Sequence, residues 1–321
     1  MKYQKTDIVN PDETPVAEDG IPVDTGIERY SNARMDQILG QRFNLLDHGH
    51  VRVVDYMGSD ESIVQAARTS YGRGTRKISD DRGLIRRLLR HRHTSVFEMA
   101  VLKLHIKAPI FVARQWLRHR TASVNEYSGR YSIMSREFFI PEASDICYQS
   151  RDNKQGRSTP LPIEQAAAIQ KMLMDDAAKC YGDYETMLDM DMARELARMN
   201  LSVNNYTEFY WQINLHNLLH FLTLRIAPDA QKEIRVYAEV IASILEIWCP
   251  IAYEAWMDYR VHAKEFSRQQ MDFIRNLVDM AMTLGVSIRR PDSISKTEWK
   301  EMLAALEIDE ATITEPEATV K

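Results

Sequence analysis

The chain has 321 residues, 45% of them hydrophobic, enough to bury a substantial core in one large domain or two small ones without covalent staples. Its formal charge of −5 and pI near 6.0 argue against a dedicated nucleic-acid binder. Cys147, Cys180 and Cys249 lie far apart and form no CxxC pair, so they suggest neither a disulfide framework nor a thiolate zinc site, but buried free thiols in a reducing cytosol.

Residues 1–40 mix Pro, Asp, Glu and Gly without periodicity and carry no signal pattern, which predicts a loosely ordered arm. HVRVVDYMG, His50 to Gly58, reads as a strand ending in a turn, after which Ser59 or Asp60 caps a helix carrying ESIVQAARTSYG. Asp80 or Asp81 caps the next, basic helix, GLIRRLLRHRH. Leu102, Leu104 and Ile106 then alternate with Lys103, His105 and Lys107, the period of a half-buried strand. Pro109 opens a helix through IFVARQWLRHR, and the following residues run into a loop; FFIPEAS reads as extended.

From Pro162 onward the pattern is helical: IEQAAAIQKMLMDDAAKCYGDYETML, ARELARM, YTEFYWQINLHNLLHFLTLR and PDAQKEIRVYAEVIASILEIW, whose apolar residues recur three and four apart. The apolar stretch IASILEIWCPIAYEAWM is interrupted by Glu246, Pro250 and Glu254, so no membrane span is expected. Two further helical pieces follow, FSRQQMDFIRNLVDMAMTLG and TEWKEMLAAL, the second preceded by capping-box spacing at Ser295 and Glu298. The resulting division is an arm over 1–40, a main domain over 41–260, and a helical extension with an acidic tail over 261–321.

Charge is unevenly spread. Between Arg82 and Arg136 there are twelve Lys or Arg against two acids, Glu98 and Glu126, and four of the nine histidines, His91, His93, His105 and His119. Such a segment is the footprint of an anion. Its densest part, RHRTASVNEYSGRY from Arg118 to Tyr131, mixes arginines with Asn, Ser and Gly. Arginine suits phosphate because its planar fork gives two parallel hydrogen bonds and keeps its charge. Arg118, Arg120 and Arg130 could clamp a phosphate, with Ser128 and the Gly129 N–H as short donors. Asn125 offers the paired donor and acceptor that a base or flavin edge requires, and Glu126 accepts from a ribose hydroxyl or ring N–H. The combination points to a nucleotide held at both ends.

Rival chemistries find less support. His91 and His93 lack partners at metal-ligand spacing and are flanked by arginines, so no metal is expected. Phe97, Phe111, Trp116, Tyr127 and Tyr131 form no single-strand stacking motif. No GxSxG elbow surrounds Ser128 and no cysteine lies near the motif, so no activated nucleophile is evident. Without GxGxxG or GxxxxGK[ST], neither a Rossmann site nor a P-loop is indicated. A cofactor would have to supply the chemistry.

Arg118, His119 and Arg120, followed after seven residues by Ser128, resemble the RHRx7S signature of the flavin-dependent thymidylate synthases, and Asn125, Glu126 and Arg130 match its extended form. The resemblance continues through AARTSYG, HTSVFE, HIKAPIFVARQW, Arg198, NNYTEFYWQIN and LRIAPDAQKEI, covering residues 50–260 in order. It implies an α+β fold with a mixed sheet packed by long helices, a helix-rich C-terminal half, and a cytoplasmic homotetramer whose active sites draw on several chains. It also implies FAD as cofactor, NADPH as reductant, methylenetetrahydrofolate as carbon donor and methylation of dUMP to dTMP, with no role for nucleic acid or membrane.

Carried over by position, Gln115, Arg118, Glu126, Ser128, Gly129, Arg130, Arg198 and Arg225 resemble the dUMP site. Of these, Arg225 is the catalytic candidate, a cation placed to stabilise charge developing on the uracil. Ser70, His93, Ser95, Arg118, His119, Arg120, Thr121, Asn125, Glu126, Asn214, His216 and His220 resemble the FAD and folate surroundings. Two positions depart from the family: Met99 stands where many relatives have histidine, and His216 where arginine is common. A non-catalytic nucleotide-binding or nucleic-acid-binding protein on the same scaffold is the alternative, and Arg198 and Arg225, remote from the motif, argue against it.

Overall fold

Three nine-residue strands, Gly49–Met57 (β2), Val101–Pro109 (β3) and Tyr206–Asn214 (β7), form the centre of the main sheet because each alternates apolar and polar side chains. Val51, Val53, Leu102, Leu104, Ile106, Phe209, Trp211 and Ile213 enter the core, while Arg52, Lys103, His105, Lys107, Glu208, Tyr210 and Gln212 occupy the alternate positions. The computed structural model describes residues 31–69, 81–286 and 288–309. Among them the main sheet has five strands in the order β1-β2-β3-β7-β4, where β1 is Arg42–Leu45 and β4 is Ser123–Glu126.

The α+β class is as expected, but the sheet is not mixed: every strand pair among the described residues is antiparallel, apart from one isolated parallel bridge between Leu39 and Val53. The alternation explains this. A parallel sheet covered on both faces would need near-continuous apolar runs, whereas an antiparallel one tolerates a polar face.

Three other expectations are corrected. YTEFYWQINLHNLLHFLTLR is not one helix but β7 followed by Leu215–Arg225 (α7), because the first nine residues alternate with period two and are rich in aromatics. Asn214 makes the break, its side chain capping α7 through the Asn217 N–H at 2.9 Å. The motif does leave α4 through a loop, but only as far as residue 122, since Ser123–Glu126 then pairs with Phe209 to Gln212 of β7. Ala33–Ile38 (α1), at the end of the expected arm, is helical, with Asn32 as cap and Met35 buried. The rest of that arm, residues 1–30, lies outside the described residues, as does most of the acidic tail.

The chain divides into two compact units, Met1–Val261 and His262–Lys321. In the first, Asp60–Thr69 (α2), Asp81–Arg90 (α3), Ile110–Trp116 (α4), α7, Lys232–Trp248 (α8) and Pro250–Trp256 (α9) contribute to the main core. Asp60 starts α2 but spends its carboxylate on α9, accepting from the Ile251 and Ala252 N–H groups at 2.8 and 3.0 Å just after Pro250. The long helix Ile163–Asp189 (α5) buries Tyr181 and Tyr184 in a separate cluster with Met134 and Ala197; Ala197 ends the short helix Arg194–Ala197 (α6). Cys147–Gln149 (β5) and Arg157–Pro160 (β6) form a small ribbon. In the second unit, Arg268–Thr283 (α10) has a capping box at Ser267 and Gln270, and Lys296–Ala305 (α11) is capped by Ser295. Among the described residues no helix is long and apolar enough to cross a membrane.

Trp116 at the end of α4 is fully buried, with ring centroids 5.6 Å from Phe209, 5.2 Å from Trp211, 4.9 Å from Phe221 and 5.8 Å from Tyr237. It ties α4 to β7, α7 and α8 two residues before the arginine motif. Trp116→Ala leaves a cavity that this rigid surrounding cannot collapse, and should lower unfolding stability by about 3–5 kcal/mol in a denaturant titration. A loss below about 1 kcal/mol would show that the cluster does not anchor the helix.

Candidate active site

The arginine motif leaves α4 in a tight turn, with the Arg118 N–H on the Gln115 carbonyl at 3.3 Å and the His119 N–H on the Trp116 carbonyl at 3.0 Å. It then joins the sheet as β4 and turns again at 128–131, where the Tyr131 N–H donates to the Ser128 carbonyl at 3.1 Å. Gly129 leaves room for close packing: a Cβ there would sit 3.0 Å from the Met134 sulfur and 3.1 Å from Arg198 Cδ, so one of those side chains would have to give way. Arg198, remote in sequence, is thereby brought against the turn.

Glu126, Gly129 and Arg198 line one cavity of about 280 Å³ together with Arg114, Tyr127, Met134 and Thr207. The Thr207 hydroxyl donates to Glu126 Oε1 at 2.8 Å. Arg130 is exposed and pairs with Glu195 at 3.0 Å, and Arg194 donates to the Tyr131 carbonyl at 2.7 Å, so α6 contacts the turn from outside. The Ser128 hydroxyl accepts from the Arg130 N–H at 3.3 Å. Arg118 is exposed.

A second group joins residues that the sequence assigns to different ligands. Arg225, the last residue of α7, donates from Nε to His119 Nε2 at 3.0 Å, and its Nη2 lies 3.4 Å from the Gln115 carbonyl. An arginine can only donate, so His119 presents a lone pair at Nε2 and carries its proton on Nδ1. Burial, the Arg225 charge and His220 hold His119 down to about 4, and burial lowers Arg225. The Gln115 amide donates to Gln231, which in turn donates to the buried Glu233 at 2.9 Å.

A third feature is an open cleft of about 430 Å³ lined by Glu98, Arg120, Thr121, Ser123, Gln212 and Asn214. It gathers three of the residues assigned to the FAD and folate surroundings. Its one cation (Arg120), two hydroxyls (Thr121, Ser123) and two amides (Gln212, Asn214) fit the phosphates and ring edge of a flavin nucleotide, with Glu98 as the single carboxylate in the lining. Ser95 begins a short 3-10 turn, Ser95–Met99, that carries Glu98 toward this cleft. His220 is 6.2 Å from His119 between ring centroids, and His216 lies one turn earlier on α7. Asn125 is exposed on β4 opposite Tyr210. His93 follows α3, its ring 6.3 Å from His91. Ser70 lies outside the described residues. Met99 is half exposed at the end of its turn.

Partners that the sequence did not single out are Thr207, Gln231, Glu195 and Arg194. Only Thr207 had a legible signal, a hydroxyl within the otherwise apolar inward row of β7.

Across the sheet, His50, His105 and Glu208 each bring a ligand-type atom within 4.8 Å of the others. As arranged they form a hydrogen-bonded group: Arg52 donates to His105 Nδ1 at 3.0 Å, so the Nε2 proton points to Glu208 at 2.8 Å. His105 therefore offers a proton rather than a lone pair there, and Lys107, 3.7 Å from Glu208, adds further positive charge. Burial and the neighbouring cations hold His50 down to about 4, while His105 and Lys107 hold Glu208 near 2.

The geometry defines a protein with adjoining cationic and amide-lined recesses suited to phosphorylated, hydrogen-bonding ligands. The family described as thymidylate synthase complementing protein matches residues 52–251. A relative from Gluconobacter oxydans named flavin-dependent thymidylate synthase is 50% identical over 283 residues, covering 87% of this chain and 92% of its own. One of the same name from Anaplasma marginale is 50% identical over 273 residues, covering 85% and 92%. Among solved structures, the UMP/dUMP methylase PolB from Streptomyces cacaoi bound with 5-Br dUMP superposes with a TM-score of 0.62 at 31% identity, over 68% of this chain and 99% of that one. This chain belongs to the thymidylate synthase complementing protein family, that of the flavin-dependent thymidylate synthases.

The two depressed histidines fix a pH response. In the unfolded chain each takes up a proton near 6.5, but in the fold only near 4, so between those values the unfolded state binds more protons and stability falls as pH falls. The thermal midpoint should therefore drop steadily from pH 7 to pH 4.5, and drop less steeply in His119→Asn. An equal slope in that variant would show that His119 is not held neutral by its surroundings.

Proposed function

We propose that this enzyme methylates dUMP to dTMP for dTMP biosynthesis, with methylenetetrahydrofolate as carbon donor, NADPH as reductant and FAD as cofactor. The observation that carries this is the Arg225 to His119 hydrogen bond, which sets a guanidinium from α7 against the middle residue of the RHR motif. The shared names of relatives at 50% identity, and a solved neighbour titled as a UMP/dUMP methylase, support uridylate as substrate.

In this proposal the cavity beside Gly129 receives dUMP. Arg198 and Arg130 meet its phosphate, with Ser128 and the Gly129 N–H as close donors, and Arg130 leaves Glu195 to do so. Glu126 and Gln115 accept and donate at the sugar and base. Arg225 faces the uracil and stabilises the charge that builds there as N3 ionises. Because His119 is neutral, it directs Arg225 through its lone pair without adding a competing cation. Arg118 and Glu126 touch both ligands. Arg120, Thr121, Asn125 and Asn214, with Ser70, His93, Ser95, His216 and His220, surround FAD and folate. When bound, the flavin supplies the hydride relay between the nicotinamide and the transferred carbon.

No thiol serves as nucleophile. None of the three cysteines lines the Glu126 cavity, and burial pushes the Cys249 thiol far up, away from its reactive thiolate form. Exposed positions such as Arg118, Arg120 and Asn125 reach their ligands in a cytoplasmic homotetramer, where neighbouring chains complete each site. Residues 1–40 and 261–321 are surface or subunit-packing additions.

The visible spectrum of the FAD-reconstituted protein tests this. Anaerobic NADPH should bleach the flavin band at a rate that changes when dUMP is added, and Arg225→Ala should keep the flavin yet lose turnover by at least about a hundredfold. Failure to bind flavin after reconstitution, or full activity in Arg225→Ala, would contradict the proposal.

A further inference from the structure

We infer that Thr207 is a positioning residue that fixes the Glu126 carboxylate at the edge of the nucleotide cavity; the inference rests on the dUMP reading of that cavity. Thr207 belongs to the inward-facing row of β7 with Phe209, Trp211 and Ile213, and is only 3% exposed. A hydroxyl buried among such neighbours is unfavourable unless it is hydrogen-bonded. Its bond goes to Glu126 Oε1 at 2.8 Å, and both residues line the same cavity.

The local geometry makes this bond selective. Glu126 ends β4 on an edge of the sheet, where its backbone is paired opposite Phe209 and the next N–H, that of Tyr127, donates to the Glu208 carbonyl at 2.8 Å. The chain is thus fixed up to Cα, while the side chain retains three rotatable torsions. Thr207 is β-branched and restricted at χ1, and its own backbone is paired with Ala108 of β3. A rigid donor on a central strand therefore selects one rotamer of a flexible acceptor on an edge strand. Oε1 is occupied by this bond, leaving Oε2 to accept from a ligand N–H or hydroxyl in the cavity beside Arg198 and Gly129. Preorganisation of this kind lowers the ordering cost of binding without adding a contact.

Two substitutions separate positioning from packing because they act in opposite directions. Thr207→Val keeps the shape and loses the hydroxyl; Thr207→Ser keeps the hydroxyl and loses a buried methyl. With the FAD-loaded full-length protein, calorimetric titration should show dUMP affinity weakened about fivefold to tenfold in Thr207→Val and within about twofold of wild type in Thr207→Ser. The thermal midpoint should show the reverse order, with the serine variant less stable than the valine variant. In a Glu126→Ala background, which removes the acceptor, the valine change should add less than about twofold.

Equal weakening in the serine and valine variants would assign Thr207 to packing alone and overturn the inference. Unchanged affinity in Thr207→Val while Glu126→Gln weakens binding would overturn it while sparing the site. Unchanged affinity in Glu126→Gln would remove Glu126 from the dUMP site, and the inference with it.

Discussion

The structure depends most on the burial of Trp116. This indole closes the last turn of α4 and contacts rings from β7, α7 and α8, and the arginine motif begins two residues later. The Nε1 atoms of Trp116 and Trp211 lack hydrogen-bond partners among the described residues, at a cost of about 1–3 kcal/mol each. Removing roughly 150–250 Å² of each large aromatic ring from water contributes about 4–6 kcal/mol, so packing outweighs the unmade bonds. The consequence is geometric. The cluster holds α4 and α7 at one fixed separation, which sets the distance between His119 and Arg225.

From that anchor the electrostatics follow. The segment from Arg82 to Arg136 concentrates positive charge, and burying it against α7 would be costly if His119 were also cationic. The fold avoids this by making His119 an acceptor for Arg225, so the recess keeps a single oriented guanidinium there. On the other side of the motif, β4 and the turn at Gly129 hold the backbone against β7 closely enough for Arg198 to pack over it. The two halves of the site thus share one strand, β7, paired with β3 along its full length and leading into the helix that carries Arg225.

Much of this was legible in the residues. The RHRx7S spacing, the Asn, Glu and Arg between and after it, and the distant arginines identified the family, and among the residues they pointed to the fold brings Arg198 to Gly129 and Arg225 to His119. Alternation in Leu102 to Lys107 gave β3 correctly. The same alternation in Tyr206 to Asn214 was hidden by the helical run that follows it, and the cap at Asn214 separates the two. The sheet was expected to be mixed; strands with one polar face, such as β3, are what make it antiparallel. Pairings such as Thr207 with Glu126 and Glu195 with Arg130 join residues 81 and 65 positions apart, and follow only from the register of β4 on β7 and the position of α6. Arg118, Arg120 and Asn125 carry family signatures yet are exposed in the single chain.

In the proposed function, positioned arginines and a bound cofactor, rather than a thiol, make dTMP. The most direct measurement is dTMP formation by mass spectrometry from dUMP, methylenetetrahydrofolate, NADPH and FAD, comparing the wild-type protein with the variant carrying Cys147→Ala, Cys180→Ala and Cys249→Ala together. Product is expected from both, at rates within about threefold once folded protein is equalised. Product from the wild type alone, or none from either, would contradict it.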